Sequence, residues 1–173
     1  MNQLRSSLAV AVIVALSACE RVAVGPHPAT SAPAEQAAAT PIADLRPYEG
    51  HTYAALAADP AMRRYALDSL GLSAAERSRF EYSMSRPAPG LIAGGGGTEA
   101  LVFSGCAPSG CLGGLSVVAI DIRTGDVFVG VSDANGADEL APNDRLEALL
   151  RLTSPSQNWD DPIRPSGQSP AAP

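Results

Sequence analysis

The sequence predicts an α+β domain in which an antiparallel β-meander carries two or three helices packed on one side. Helix signals come first along the chain, two apolar runs joined by a tight turn follow, and a short amphipathic pattern ends the folded part. Helical and strand patterns that are segregated along a chain are typical of α+β folds. We therefore expect one folded domain, residues 45–159, within the 173-residue chain.

Residues 1–19 have the pattern of a bacterial lipoprotein signal. Arg5 supplies a short positive region, residues 8–16 are apolar, and the letters L-S-A-C follow. This pattern is a lipobox, so we expect Cys19 to be lipidated and to become the first mature residue. The apolar run is too short to span a bilayer as a mature segment. The alternative is a buried cysteine in an uncleaved helix. Glu20 favours sorting to the outer membrane, so the expected location is the cell envelope, lipid-anchored and facing the periplasm.

Two flanking segments are expected to be disordered. Residues 20–44, a tether, and residues 160–173, a tail, are rich in alanine, proline and serine and offer little apolar surface to bury. Only Trp159, just before the tail, is expected to touch the domain. Removing Arg5 from the 12 basic residues leaves 11, against 18 acidic residues, a mature net charge of −7. This charge disfavours nucleic acid and anionic membrane surfaces and suits a cationic protein.

The first half of the domain shows two helix starts. The Asp-Pro pair at residues 59–60 predicts an N-cap followed by proline in the first turn, and hence a helix that continues to Leu70. The S-A-A-E sequence at residues 73–76 is a capping box and predicts a second helix, which ends near Met84. Both helices are expected to be packing elements rather than sites.

The second half is predicted to be a sheet. Leu101 and Phe103 share one face of a strand that ends at Cys106, and residues 115–122 are apolar on nearly both faces, as in a central strand. The turn R-T-G-D precedes a returning strand at residues 127–131.

Three further segments complete the predicted domain. The glycine run at residues 94–97 is expected to be a flexible loop. We do not expect it to bind phosphate, because it lacks the residues that follow a phosphate-binding loop. Residues 133–136 form a turn, and the acidic stretch around it lacks calcium-ligand spacing, so we expect a polar connection. Asn143 caps a short final helix. Its apolar stripe comprises Leu146, Leu149 and Leu150.

The segment S-G-C-A-P-S-G-C-L-G-G, residues 104–114, contains the only two cysteines besides Cys19. In an exported protein Cys106 and Cys111 should be bonded to each other. Closing so small a ring stabilises the fold by only about 2 kcal/mol, so we expect the bridge to act mainly by making the loop rigid. The bridge fits across the mouth of a hairpin, whose tip would be residues 107–110.

The motif C-x-P-x-x-C, in this order of elements, resembles the Ivy family, which are inhibitors of vertebrate lysozyme. The resemblance covers residues 48–159 and is carried by Cys106, Pro108 and Cys111. It implies that the loop plugs the lysozyme cleft, where the family's histidine meets the catalytic carboxylates. Pro108 and Ser109 would then belong to the partner-binding loop, and a basic protein such as a lysozyme would be the partner.

The tip departs from the family's motif, C-K-P-H-D-C. Ala107, Ser109 and Gly110 stand where the family has lysine, histidine and aspartate. A charged donor to a carboxylate is worth about 1.5–3 kcal/mol and a neutral one about 0.5–1.5 kcal/mol. Ser109 retains one neutral donor, so the sequence predicts weakened inhibition.

No set of catalytic residues can be assembled, so an enzyme is not expected. A Cys111–His51 pair would be silenced by the disulfide, and a C-x4-C pair without further ligands is a poor zinc site. We expect no cofactor and no metal. Two interpretations stay open: an Ivy-like lysozyme inhibitor, and an envelope lipoprotein of the same fold that binds another partner.

Overall fold

The structure, a computed structural model, describes residues 43–161 and confirms the predicted α+β class. The lipidation residue Cys19, most of the tether and nearly all of the tail lie outside the described residues. Within them, six antiparallel strands accompany three α-helices and three short 3-10 helices. The strands are β1 (Arg86–Pro87), β2 (Leu91–Gly95), β3 (Thr98–Ala107), β4 (Gly110–Asp121), β5 (Val127–Asp133) and β6 (Gly136–Ala141). The helices are α1 (Tyr53–Ala58), α2 (Ala74–Ser83) and α3 (Asp144–Thr153), with 3-10 segments at Arg46–Tyr48, Pro60–Tyr65 and Leu67–Ser69.

The sheet is a meander from β3 to β6, with strand order β1-β3-β4-β5-β6. Both β1 and β2 pair with the outer edge of β3, at opposite ends of that strand: Arg86 lies opposite Cys106, and Leu91 lies opposite Val102. β1 and β2 therefore act together as one interrupted edge strand beside β3. The shorter of them, β1, lies next to Cys106.

The helix predicted for residues 59–70 is not continuous. Asp59 caps it as expected and accepts a hydrogen bond from the Ala61 amide, but the segment that follows is a 3-10 helix. The chain becomes extended at Ala66 before a second 3-10 turn. The buried side chains Met62 and Tyr65 are three residues apart, a spacing that a 3-10 helix places on one line. Helix α1, capped by Thr52, was not predicted from the sequence.

Helix α2 begins at the predicted capping box and ends at Ser83, with Met84 as its C-cap. The Glu76 amide donates to the Ser73 hydroxyl (3.3 Å), and the Glu76 carboxylate accepts from the Ser73 amide (2.7 Å). Near its C-terminal end, the Ser116 hydroxyl of β4 donates to the Phe80 carbonyl (3.0 Å). This bond ties the end of α2 to the sheet close to the cysteines.

Two helices, α1 and α2, pack on one side of the sheet, as predicted, and α3 covers the other side as well. On one face Tyr53 lies between Phe80 and Phe103, with ring centroids 5.7 and 5.8 Å away. On the other face α3 and Trp159 cover the sheet, and Trp159 packs edge-on to Phe128. The reason lies in β4, which is apolar on both faces and requires cover on each.

Three strands, β1, β2 and β6, were not expected. Gly96 and Gly97, with φ of +57° and +80°, form the tight turn of the β2–β3 hairpin instead of a flexible loop. The acidic stretch after the turn at residues 133–136 forms β6, an exposed edge strand. The predicted turn itself is present, as are the β4–β5 hairpin and the capped helix α3 with its three buried leucines.

Candidate functional site

The Cys106–Cys111 disulfide joins the end of β3 to the start of β4, as predicted. The Cα atoms of the two cysteines lie 4.5 Å apart. The bridge thus closes the end of the β3–β4 hairpin, and Cys106 itself packs against the hydrophobic cluster on one face of the sheet.

The strand register shows what the disulfide closes. Cys106 lies opposite Leu115, whereas the next residue, Ala107, lies opposite Gly110. Residues 111–114 therefore have no partner on β3 and form a four-residue bulge beside the two-residue turn of Pro108 and Ser109. Bulges redirect side chains out of a ladder and are common beside functional sites. The disulfide holds Cys111, the first residue of the bulge, against Cys106 of β3.

Two glycines seat the base of the loop on the end of α2. A side-chain atom on Gly114 would lie 2.6 Å from the Ser83 hydroxyl, and one on Gly105 would overlap the Met84 sulfur. The Ser83 hydroxyl is fully buried and has no hydrogen-bond partner within the part of the chain that the structure describes. Neither glycine was singled out from the sequence. Their function is to let a helix end and a hairpin approach closely.

The tip is smaller than the sequence suggested. Ala107, expected to project, is fully buried. Pro108 and Ser109 are exposed, as a partner-binding loop requires. The Ser109 hydroxyl is folded over Gly113, where a β-carbon would overlap it. Its single donor therefore lies along the loop rather than at the outermost point.

The most exposed large apolar side chain of the described residues belongs to a residue that was not selected from the sequence. Leu112, within the bulge, has 104% relative exposure, so no side chain of residues 43–161 covers it. Its signal in the sequence is weak: it is the one large apolar residue among residues 104–114.

The segment of residues 104–114 carries no charge, but one arginine, on β1, lies beside it. Arg86 is the cross-strand neighbour of Cys106 and is exposed. Between residues 43 and 161 it has no ion pair and no side-chain hydrogen bond. Arg79, in contrast, is held by Asp133 (2.8 and 3.0 Å) and Asp138 (2.6 Å). Hydrogen bonding to Arg79 holds the pKa of Asp133 below its ordinary value.

Two other kinds of site, a Cys111–His51 pair and a metal centre, are not assembled among the described residues. The Cys111 thiol is bonded to Cys106, so it is not available to His51, whose ring lies edge-on to Tyr48 instead. Within residues 43–161 no three histidine, cysteine or acidic side chains are grouped to hold a metal. No helix in that range has the length and apolarity needed to cross a membrane.

Comparisons with protein-family models, with curated proteins and with solved structures found no match to this chain. The chemistry of the loop therefore has to be argued from its own residues.

Proposed function

We propose that this chain is an envelope lipoprotein whose domain binds a protein partner through the disulfide loop, and that a lysozyme is the partner to test first. The observation that carries the proposal is the loop's construction. A covalent bond, a closely packed base and a bulge hold residues 108–112 at the end of the β3–β4 hairpin, where the Leu112 side chain is fully exposed. Such pre-organisation lowers the entropy cost of binding.

The resemblance to the Ivy family supports the choice of partner. A C-x-P-x-x-C loop on an α+β scaffold with the same order of elements is what that family presents to lysozyme. The mature net charge of −7, from 11 basic and 18 acidic residues, favours encounter with a basic protein. The proposed action is steric occlusion of a cleft rather than catalysis, with no cofactor involved.

The same tip also argues for the second candidate, an envelope protein of this fold with another partner. Ala107 is buried, and Gly110 has φ of +102°, a conformation that side chains rarely adopt. The lysine and aspartate of the family's motif therefore do not fit these two positions without rearrangement. Ser109 alone can be changed to the family's residue without disturbing a packed neighbour other than Gly113.

Attachment is proposed to occur through Cys19, with residues 20–44 as a tether. Replacing Cys19 by alanine should move the protein from the membrane fraction to the soluble fraction of fractionated cells. Mature protein that stays in the membrane fraction after this change would overturn the anchor.

The inhibition assay uses the soluble domain, residues 20–173, titrated against basic lysozymes of several structural types. We expect dose-dependent inhibition of at least one type and a matching complex in solution. A Cys106→Ser/Cys111→Ser double variant is the control for the loop. Absence of inhibition and of complex with every lysozyme would leave the second candidate as the function.

A substitution at Ser109 sharpens the assay. Ser109→His should strengthen binding about tenfold, and more at pH 6 than at pH 8, because imidazole gains charge over that interval and charged donors bond carboxylates more strongly. Ser109→Asn, a neutral donor of related length, is the matched control. An equal effect of both changes, or no pH dependence, would contradict a carboxylate as the group that the tip meets.

A further inference from the structure

Leu112 differs from the other exposed apolar side chains of the described part. Tyr82 and Leu152 have relative exposures of 54% and 66%, so each retains cover from its own helix or neighbours. Leu112 has 104%, and it stands among glycine, alanine, serine and proline. A leucine with no cover gains the full benefit of burial only when a partner supplies the surface.

The position of Leu112 is fixed by its surroundings. Residues 111–114 leave the β-ladder together, and the disulfide at residue 111 and the packed Gly114 hold both ends of that bulge. The side chain is thus presented from a short segment with two fixed ends. Little backbone entropy has to be lost when it is buried in an interface.

Arg86 supplies the charge that the loop lacks. It lies directly opposite Cys106, so the two side chains emerge on the same face of the sheet, with β-carbons about 5 Å apart. The five described arginines that form ion pairs are occupied by acidic side chains of the domain: Arg46, Arg77, Arg79, Arg145 and Arg151. Arg86 has none among the described residues and is exposed, beside the disulfide.

We propose that Leu112 is the anchor of the binding loop, that it enters an apolar hollow of the partner, and that Arg86 bonds a carboxylate at the rim of that hollow. The proposal rests on the proposed function, since it names the contacts through which a lysozyme would be bound. In this proposal, burial of the Leu112 side chain is the main source of affinity, rather than a hydrogen bond donated by Ser109. The guanidinium, rather than a residue of the loop itself, provides the charged donor.

The experiment measures the affinity of the full mature domain for the lysozyme that it inhibits, with matched variants. Leu112→Ser should weaken binding about tenfold to a hundredfold, the loss expected from one buried leucine. Leu152→Ser, an equally drastic change of another exposed leucine, should leave the affinity unchanged. Arg86→Gln should weaken binding about tenfold at low salt and less at high salt, whereas Arg63→Gln, at another exposed arginine, should have no effect.

The outcomes separate the two proposals. All four variants should unfold at nearly the wild-type temperature, since each changes an exposed side chain. Inhibition by the wild type with equal affinities of Leu112→Ser and Leu152→Ser would overturn the anchor and leave the proposed function standing. A wild-type domain that binds none of the lysozymes would overturn both.

Discussion

The body of the sheet and the disulfide end are built by opposite means. In the body, large side chains fill the space on both faces, with Phe80 and Phe103 around Tyr53 on one side and Phe128 against Trp159 on the other. At the disulfide end, the structure depends on side chains that are small or absent, as at Gly105 and Gly114, and on one covalent bond.

This difference separates the residues that stabilise the fold from the loop residues that are proposed to bind a partner. Buried apolar area stabilises the body, so its residues tolerate little truncation. The loop buries little, so its exposed residues can change without unfolding the domain. A binding surface that contributes little to folding is free to differ between proteins of one fold.

The largest expected effect is on the body. Phe103→Ala should lower the free energy of unfolding by about 3–5 kcal/mol, because Phe103 is fully buried and the edge-on contact with Tyr53 is lost with its ring. Chemical denaturation with circular dichroism measures this change. Leu112→Ala is the control and should shift the value by less than about 0.5 kcal/mol. Similar losses for both variants would erase the distinction between the two regions.

The boundary between the regions is expected to lie between neighbouring residues. Ala107→Lys should cost about 2 kcal/mol or more, since the site is fully buried and touches Gly114. Ser109→Lys, two residues further on at an exposed position, should be nearly neutral in the same denaturation experiment. A neutral Ala107→Lys would mean that the base of the loop is open.

A smaller effect on the free energy of unfolding is expected when acid weakens the ion pair between Arg79 and Asp133. The bonded guanidinium of Arg79 lowers the pKa of Asp133 from its ordinary 3.8, so this pair stabilises the fold above that pH and loses its effect as the pH falls below it. Asp133→Asn should therefore cost about 1 kcal/mol or less at pH 7. The difference from wild type should shrink as the pH falls below about 4. A gap that is constant with pH would show that the ionised carboxylate is not what matters.

Much of the body could be predicted from sequence because its signals are local. The capping box of α2, the apolar run of β4 and the leucine stripe of α3 each specify an element by periodicity or by a capping side chain. The 3-10 segments after Asp59 and the strand β6 were missed, since tertiary packing and strand pairing, not local pattern, decide them. The same holds for α3, whose face of the sheet no local signal indicated.

The loop could be predicted only in part. The pairing of Cys106 with Cys111 followed from the count of cysteines, but the four-residue offset in the β3–β4 register did not. That offset buries Ala107 and exposes Leu112, so it decides which side chains the loop presents. Register depends on long-range fit, here of Gly114 to the end of α2, and such a fit leaves no periodic trace in the sequence.

The most direct test of the account measures two quantities on one variant, Cys106→Ala/Cys111→Ala. The free energy of unfolding should fall by about 2 kcal/mol, with the fold retained, because the ring is small. The affinity for lysozyme should fall at least tenfold, because the bulge that presents Leu112 loses one fixed end. Loss of the fold, or an affinity equal to that of the oxidised wild type, would contradict the claim that the disulfide shapes a binding loop.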